Sequence, residues 1–181
     1  MRKQPASTID LIILGFLLDK AMNAYELANF IIEKHVGRFL KISPPTIYKS
    51  CKRLYEEDLL KGEKVKEGEL PEKTVYRVTK KGKERFFVLM EQFSSNFTPY
   101  FLDCNAFIWN IEKVERKRGL EMLRNLQGEL LSLKKWISQH EKEKSKNMSF
   151  ASKAIVKQYR MTISILLKWS EETIRDYKQL K

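Results

Sequence analysis

Residues 42–54, Ile42-Ser43-Pro44-Pro45-Thr46-Ile47-Tyr48-Lys49-Ser50-Cys51-Lys52-Arg53-Leu54, place two consecutive prolines before a helix-like run whose charges are all positive. A residue that precedes proline is biased toward the extended conformation of an N-cap, so Ser43 is expected to cap a helix with its hydroxyl. Pro44 and Pro45 carry no backbone N–H, which removes two donors that a helix start leaves unsatisfied. Either proline can be the first helical residue, because Pro45 also disfavours the α region for Pro44. With Ile47 at the origin of a helical wheel, Cys51, Leu54, Tyr55 and Tyr48 gather on one side. Pro45, Thr46, Lys49, Lys52 and Arg53 fall on the other. One face is core and the other is basic, over a helix expected to reach about Leu60.

A helix that offers a methyl, a hydroxyl and cations near its N-terminal end has the make-up of a DNA recognition helix. Thr46 and Lys49 are placed to reach base edges, and Lys52 and Arg53 to hold phosphates. Tyr48, at the edge of the wheel, either packs or offers its hydroxyl to a phosphate. For a lone charged helix the blander reading is a solvated basic face, so the neighbouring elements decide.

Those neighbours are informative. Ser7-Thr8-Ile9-Asp10 followed by Leu11, Leu14, Leu17 and Leu18 reads as a capped, nearly all-apolar helix that belongs in a core. Asn23-Ala24-Tyr25-Glu26 has capping-box spacing and opens a second helix through Ile31 or Ile32, ended by Gly37 and the residues after it. Beyond the basic helix, "KGEKVK" (61–66) and "TVYRVT" (74–79) are β-prone runs around the loop "EGELPE" (67–72). Three helices and a hairpin make the pattern of a winged helix-turn-helix.

After Gly82 only Pro99, Gly119 and Gly128 interrupt a helical composition. Leu120, Leu123, Leu126, Leu130, Leu133 and Ile137 form one apolar stripe. Val156, Tyr159, Ile163, Leu166, Leu167, Ile174 and Tyr177 form another, across the polar connection "EKEKSKN". The expectation is an antiparallel pair of long helices whose remaining apolar surface meets a second subunit. The fold class is therefore mostly α with a small β-hairpin, divided as a winged domain over 1–92 and a helical dimerisation domain over 93–181.

Composition sets limits. Lys and Arg number 35 against 23 Asp and Glu, a formal charge of +12, which suits an anionic partner. The excess is concentrated, since Lys34, Arg38, Lys41, Lys49, Lys52 and Arg53 occur between Lys34 and Tyr55 without an acidic residue. Cys51 and Cys104 are far apart and near neither His35 nor His140, which argues against structural zinc or a disulfide framework. Cys51 falls on the apolar face and reads as a small buried hydrophobe. The apolar run 11–18 is well short of the roughly 20 residues of a membrane span, and Asp10 and Asp19 at its edges argue against a signal peptide, so a cytoplasmic protein is expected. Catalysis has no support from paired nucleophile and base, phosphate-binding glycine loop or clustered ligands, and no metal or cofactor is expected.

In order and separation, "STIDLIILGFLL", "NAYELANFI", "ISPPTIYKSCKRLYEEDLL" and "PEKTVYRVTKKGKE" resemble the PadR family of bacterial transcriptional regulators, over about residues 7–84. The more distinctive elements are Ser-x-x-Thr-Ile-Tyr, the following Lys-Arg-Leu-x-x-x-x-Leu-Leu, and Thr-x-x-Gly after the second wing strand. "LLKWSEETIRDY" is similar to the end of the helical domain in longer members, which include virulence-gene activators. The resemblance implies a homodimer that binds double-stranded DNA at a two-fold symmetric operator, with repression by promoter occupancy as the expected mode. The implied DNA-contacting positions are Thr46, Tyr48, Lys49, Lys52 and Arg53 in the helix, with Lys66 and Lys73 in the wing, and Ser43 and Pro45 at the helix start are expected to face DNA beside them. The implied dimer interface takes in Leu120, Leu123, Leu130, Tyr159, Ile163, Leu166 and Ile174.

The chain departs from the family where Pro45 replaces a small residue, where Asn23-Ala24 replaces a His-Gly pair, and where "EGELPE" replaces a Gly-Arg-rich wing tip. An acidic tip weakens the wing's phosphate contact and leaves Lys64, Lys66, Lys73 and Arg77 to supply it. Phe93, Phe97, Tyr100, Phe101, Phe107 and Trp109 read first as a hinge and dimer core. Some family members bind flat phenolic or drug-like compounds, which implies a small aromatic effector near Phe107 and Trp109. The competing class is a helical adaptor whose winged domain binds protein rather than DNA. An adaptor has no need of a third helix with a basic outer face.

Overall fold

Ser7 opens helix α1 (Thr8–Asp19), its hydroxyl accepting the Asp10 amide at 3.3 Å. The computed structural model describes residues 7–66, 72–97, 102–144 and 148–180. The chain divides into two units, Met1–Pro99 and Tyr100–Lys181. In the first unit, α1 buries Ile13, Leu14 and Leu17 as its apolar composition requires. Strand β1 (Met22–Asn23) leads into α2 (Ala24–Glu33) through the expected capping box. Glu26 N–H donates to Asn23 Oδ1 at 2.9 Å and Asn23 N–H to Glu26 Oε2 at 3.0 Å. A 3₁₀ turn (Val36–Arg38) follows.

Helix α3 (Pro44–Glu56) starts at the first of the two prolines, and Ile47, Ser50, Cys51 and Leu54 form its buried face. It stops short of the Leu60 expected from sequence because Asp58 turns the chain in the left-handed region, at φ 59°. Leu59 and Leu60 are buried beyond that turn, Leu60 as the first residue of β2 (Leu60–Val65). Strand β3 (Lys73–Val78) pairs antiparallel with β2 and then with β1, giving the order β1-β3-β2. A third strand joins the expected hairpin because Met22 and the helix cap Asn23 lie opposite Tyr76 and Val75. The wing tip, residues 67–71, lies outside the described residues.

The Thr-x-x-Gly signal has a steric cause. Thr79 caps α4 (Lys80–Ser95) by accepting the Gly82 amide at 3.0 Å, and its own N–H donates to the Leu59 carbonyl at 3.1 Å. A Cβ on Gly82 would stand 2.1 Å from that same carbonyl oxygen. The first core joins α1, α2 and α3 to Leu60 and Leu89, with Tyr76, Val78 and Phe86 packed at its edge.

The second unit contains α5 (Cys104–Ile108), α6 (Arg116–Lys144) and α7 (Phe150–Gln179). Helices α6 and α7 pack antiparallel. Leu123 meets Ile174 and Tyr177 in one cluster, and Leu130 meets Ile163 and Leu167 in the next. Glu141 pairs with Arg160 at 3.5 Å toward the connection, whose residues 145–147 lie outside the described set. Among the described residues, no helix is long and apolar enough to cross a membrane.

Candidate nucleic-acid interface

Helix α3 turns Pro45, Thr46, Tyr48, Lys49 and Lys52 to solvent along one side while the opposite side is buried. Ser43 does not cap this helix through its hydroxyl, contrary to expectation. With prolines in the first two positions, the Thr46 and Ile47 amides both donate to the Ser43 carbonyl, at 3.0 and 3.2 Å. The Ser43 hydroxyl instead lies 2.7 Å from Thr46 Oγ1, so two exposed hydroxyls sit together at the helix start. Tyr48 is 44% exposed and Tyr55 47%, so both lie outside the core proper. Tyr55 meets Tyr76 edge-on at 6.1 Å, and Ser50 takes the buried place beside Cys51. Burial pushes the Cys51 thiol up to about 12, which suits its reading as a packed hydrophobe.

The cations of α3 differ in their surroundings. Lys49 is exposed and has no acidic partner among the described residues. Lys52 lies 3.9 Å from Glu56, both largely exposed, a pair of little strength that a phosphate can replace. Arg53 is bound on two sides, to Asp10 of α1 and to Glu57 at 3.2 Å. Desolvation lowers the Arg53 pKa, but hydrogen bonds and charge from Asp10 and Glu57 outweigh it and hold the guanidinium above its ordinary value.

The wing residues do not share one surface. Directly opposed residues in an antiparallel pair share a face, so Lys61 with Arg77, and Val65 with Lys73, lie on one side of the sheet. Lys64, opposite Thr74, lies on the side of Leu60, Tyr76 and Val78. Lys64 pairs with Glu72 at 2.8 Å, and that hydrogen bond and the Glu72 charge raise its pKa. Lys73 lies 3.7 Å from Glu26, the residue that closes the α2 capping box. Arg77 and Lys66 are exposed, Lys66 just beyond the end of β2.

The second unit holds the remaining candidates. Leu123, Leu130, Ile163 and Ile174 are buried between helices of the same chain, with Leu120, Tyr159 and Leu166 at the margins. Apolar side chains left outside are Leu131 on α6 and Phe150, Ile155, Met161 and Ile165 on α7. A cavity of about 260 Å³ between α6 and α7 is lined by Leu126, Leu130, Tyr159, Thr162, Leu166 and Trp169, among others. Neither Phe107 nor Trp109 lines it. Phe107 packs against the cluster of Ile111 and Tyr177, and Trp109 is 87% exposed. Tyr100 and Phe101 lie outside the described residues.

What reasoning from sequence missed is the partner of Arg53. The available signal was Asp10, an acidic residue directly before the apolar run 11–18 of α1.

Three helices, a small antiparallel sheet and an exposed basic third helix define the first unit as a winged helix-turn-helix domain. Residues 13–87 match the model of the transcriptional regulator PadR-like family, so this domain is PadR-like, as its motifs indicate. No curated protein matches the chain. Among solved structures, Bacillus subtilis PadR in complex with operator DNA is similar at a TM-score of 0.78 and 16% identity, covering 96% of this chain and 99% of that one. The same protein in complex with p-coumaric acid gives 0.76 at 14% identity, covering 96% and 100%. The Vibrio cholerae virulence activator AphA gives 0.71 at 15% identity, covering 94% and 98%. At these identities the likeness is one of fold.

Proposed function

We propose that the protein is a homodimeric transcriptional regulator that binds a two-fold symmetric DNA operator through α3 and represses by occupying a promoter. The observation that carries this reading is the exposed face of α3, with Thr46, Tyr48, Lys49 and Lys52 on the third helix of a domain matching the PadR-like model. Thr46 and Lys49 reach base edges. Lys52 holds a phosphate, and Arg77, Lys73 and Lys66 supply the wing's charge. Residues 1–92 carry the DNA-binding role and 93–181 the dimerisation role. The exposed apolar residues Phe150, Ile155, Met161 and Ile165 of α7 support a partner helix on that surface.

The α6–α7 cavity supports a response to a flat aromatic effector, since its lining is apolar with Tyr159, Thr162 and Trp169 as polar or aromatic contributors. The relative whose structure is described as a complex with p-coumaric acid lends this the same direction. The test is light scattering for a dimer, with anisotropy titration of an operator duplex against a random one. A dimer that prefers the operator is expected. A monomer that binds both duplexes equally contradicts the proposal.

A further inference from the structure

Arg53 differs from Lys49 and Lys52 in that both of its terminal nitrogens are already bonded. Nη2 donates to Asp10 Oδ1, and Nη1 to the two Glu57 oxygens at 3.2 and 3.3 Å. The Asp10 side chain is only 6% exposed, and a buried carboxylate deprived of its cation is strongly unfavourable, so the guanidinium is not easily surrendered. Asp10 lies in α1 and Arg53 in α3, so the pair ties the exposed basic helix to the helix beneath it. Lys81 adds a second tie to the same turn, its Nζ donating to the Glu57 carbonyl at 2.7 Å.

We propose that Asp10, with Glu57, withholds Arg53 from DNA, making Arg53 a positioning residue that fixes α3 on α1 and making Asp10 a determinant of specificity. The proposal rests on the DNA-binding reading above. A guanidinium released at this position would add a phosphate contact that is blind to sequence. Such a contact raises affinity for every duplex and lowers the ratio of operator to random binding. Holding it in an ion pair keeps the charge for geometry and leaves the phosphate work to Lys52.

The test is the salt dependence of duplex binding by the full-length protein, measured by anisotropy with operator and random duplexes. Each phosphate contact contributes a slope of about 0.9 in log K against log salt. Loss of fold stability does not imitate that change. Asp10→Asn is expected to steepen the slope by about 0.9 per subunit and to tighten binding to random duplex. Arg53→Gln is expected to weaken operator binding with the slope unchanged. The double variant, which leaves no charge buried alone, is expected to show the wild-type slope, and it decides the matter if either single variant does not fold. A slope flatter by about 0.9 per subunit in Arg53→Gln or in the double variant overturns the proposal, as does an unchanged slope in folded Asp10→Asn. Wild-type protein that binds neither duplex at any salt ends the DNA-binding reading itself, before any variant is made.

Discussion

Two glycine-to-alanine substitutions, both in helices, should move stability in opposite directions. At Gly82 a Cβ would stand 2.1 Å from the Leu59 carbonyl oxygen, 2.9 Å from Val78 Cγ1 and 3.0 Å from the Leu59 carbonyl carbon. Two of those atoms are backbone and cannot rotate away. The same carbonyl oxygen accepts the Thr79 amide at 3.1 Å and the Thr79 hydroxyl at 3.2 Å, so moving it strains the junction between wing and α4. Overpacking of this kind costs about 1–3 kcal/mol, and weakening one hydrogen bond adds about 1. The helix-propensity gain of alanine over glycine returns about 1 kcal/mol.

Gly82→Ala should therefore destabilise by about 1–3 kcal/mol net. At about 2–4 °C per kcal/mol for a chain of this size, Tm falls by roughly 2–12 °C. Gly128, exposed on α6, has nothing within 4 Å of an added Cβ. Gly128→Ala should keep the propensity gain of up to about 1 kcal/mol and raise Tm. Thermal melts by far-ultraviolet circular dichroism measure both. A Gly82→Ala protein as stable as wild type, or a destabilised Gly128→Ala, would refute the steric reasoning.

Other expectations concern function and chemistry. Lys49→Ala should change which operator sequences are preferred, whereas Lys52→Ala should weaken all duplexes alike and flatten the salt slope by about 0.9 per subunit. Equal losses on operator and random DNA for both would contradict that division. The fold raises the Cys51 pKa from 9.0 to about 12, which favours the protonated thiol, so this contribution to stability is whole below pH 9 and is lost as pH rises toward 12. The urea midpoint of wild type should fall over that window more than that of Cys51→Ala, and parallel declines would contradict the assignment. A flat phenolic acid should quench fluorescence through Trp169 in the α6–α7 cavity. Quenching that survives Trp169→Phe but disappears in Trp109→Phe would place the effector site near Trp109 instead.

Local signals in the sequence carried the first unit well. Ser7 and the Asn23–Glu26 pair cap the helices they precede, and the wheel around Ile47 puts Cys51 and Leu54 on the buried side of α3, although Tyr48 and Tyr55, set on that side too, are exposed and Ser50 is buried. Those features depend on residues three or four apart, which a sequence displays directly. The pairing of Asp10 with Arg53 joins residues 43 apart and becomes visible only when α1 and α3 pack. The wing cations illustrate the same limit, because Lys64 and Lys73 take opposite sides of the sheet according to a register that composition does not encode. The stripes of α6 and α7 were legible as apolar, but periodicity does not say whose helix covers them. Leu123, Leu130, Ile163 and Ile174 turn out to be buried by their own chain. The effector position near Phe107 and Trp109 rests on the family resemblance, and periodicity does not display the gap that packing leaves between α6 and α7.

The most direct test of the regulator reading is recovery of genomic fragments by the purified full-length protein at roughly physiological salt, where non-specific binding weakens to a Kd of about 10⁻⁴ to 10⁻⁶ M. Recovery of one inverted repeat near a promoter is predicted, with half-sites about one DNA turn, 34–36 Å, or a multiple of it apart. Recovery of no fragment by protein shown to be folded and dimeric would contradict it and favour a protein-binding adaptor.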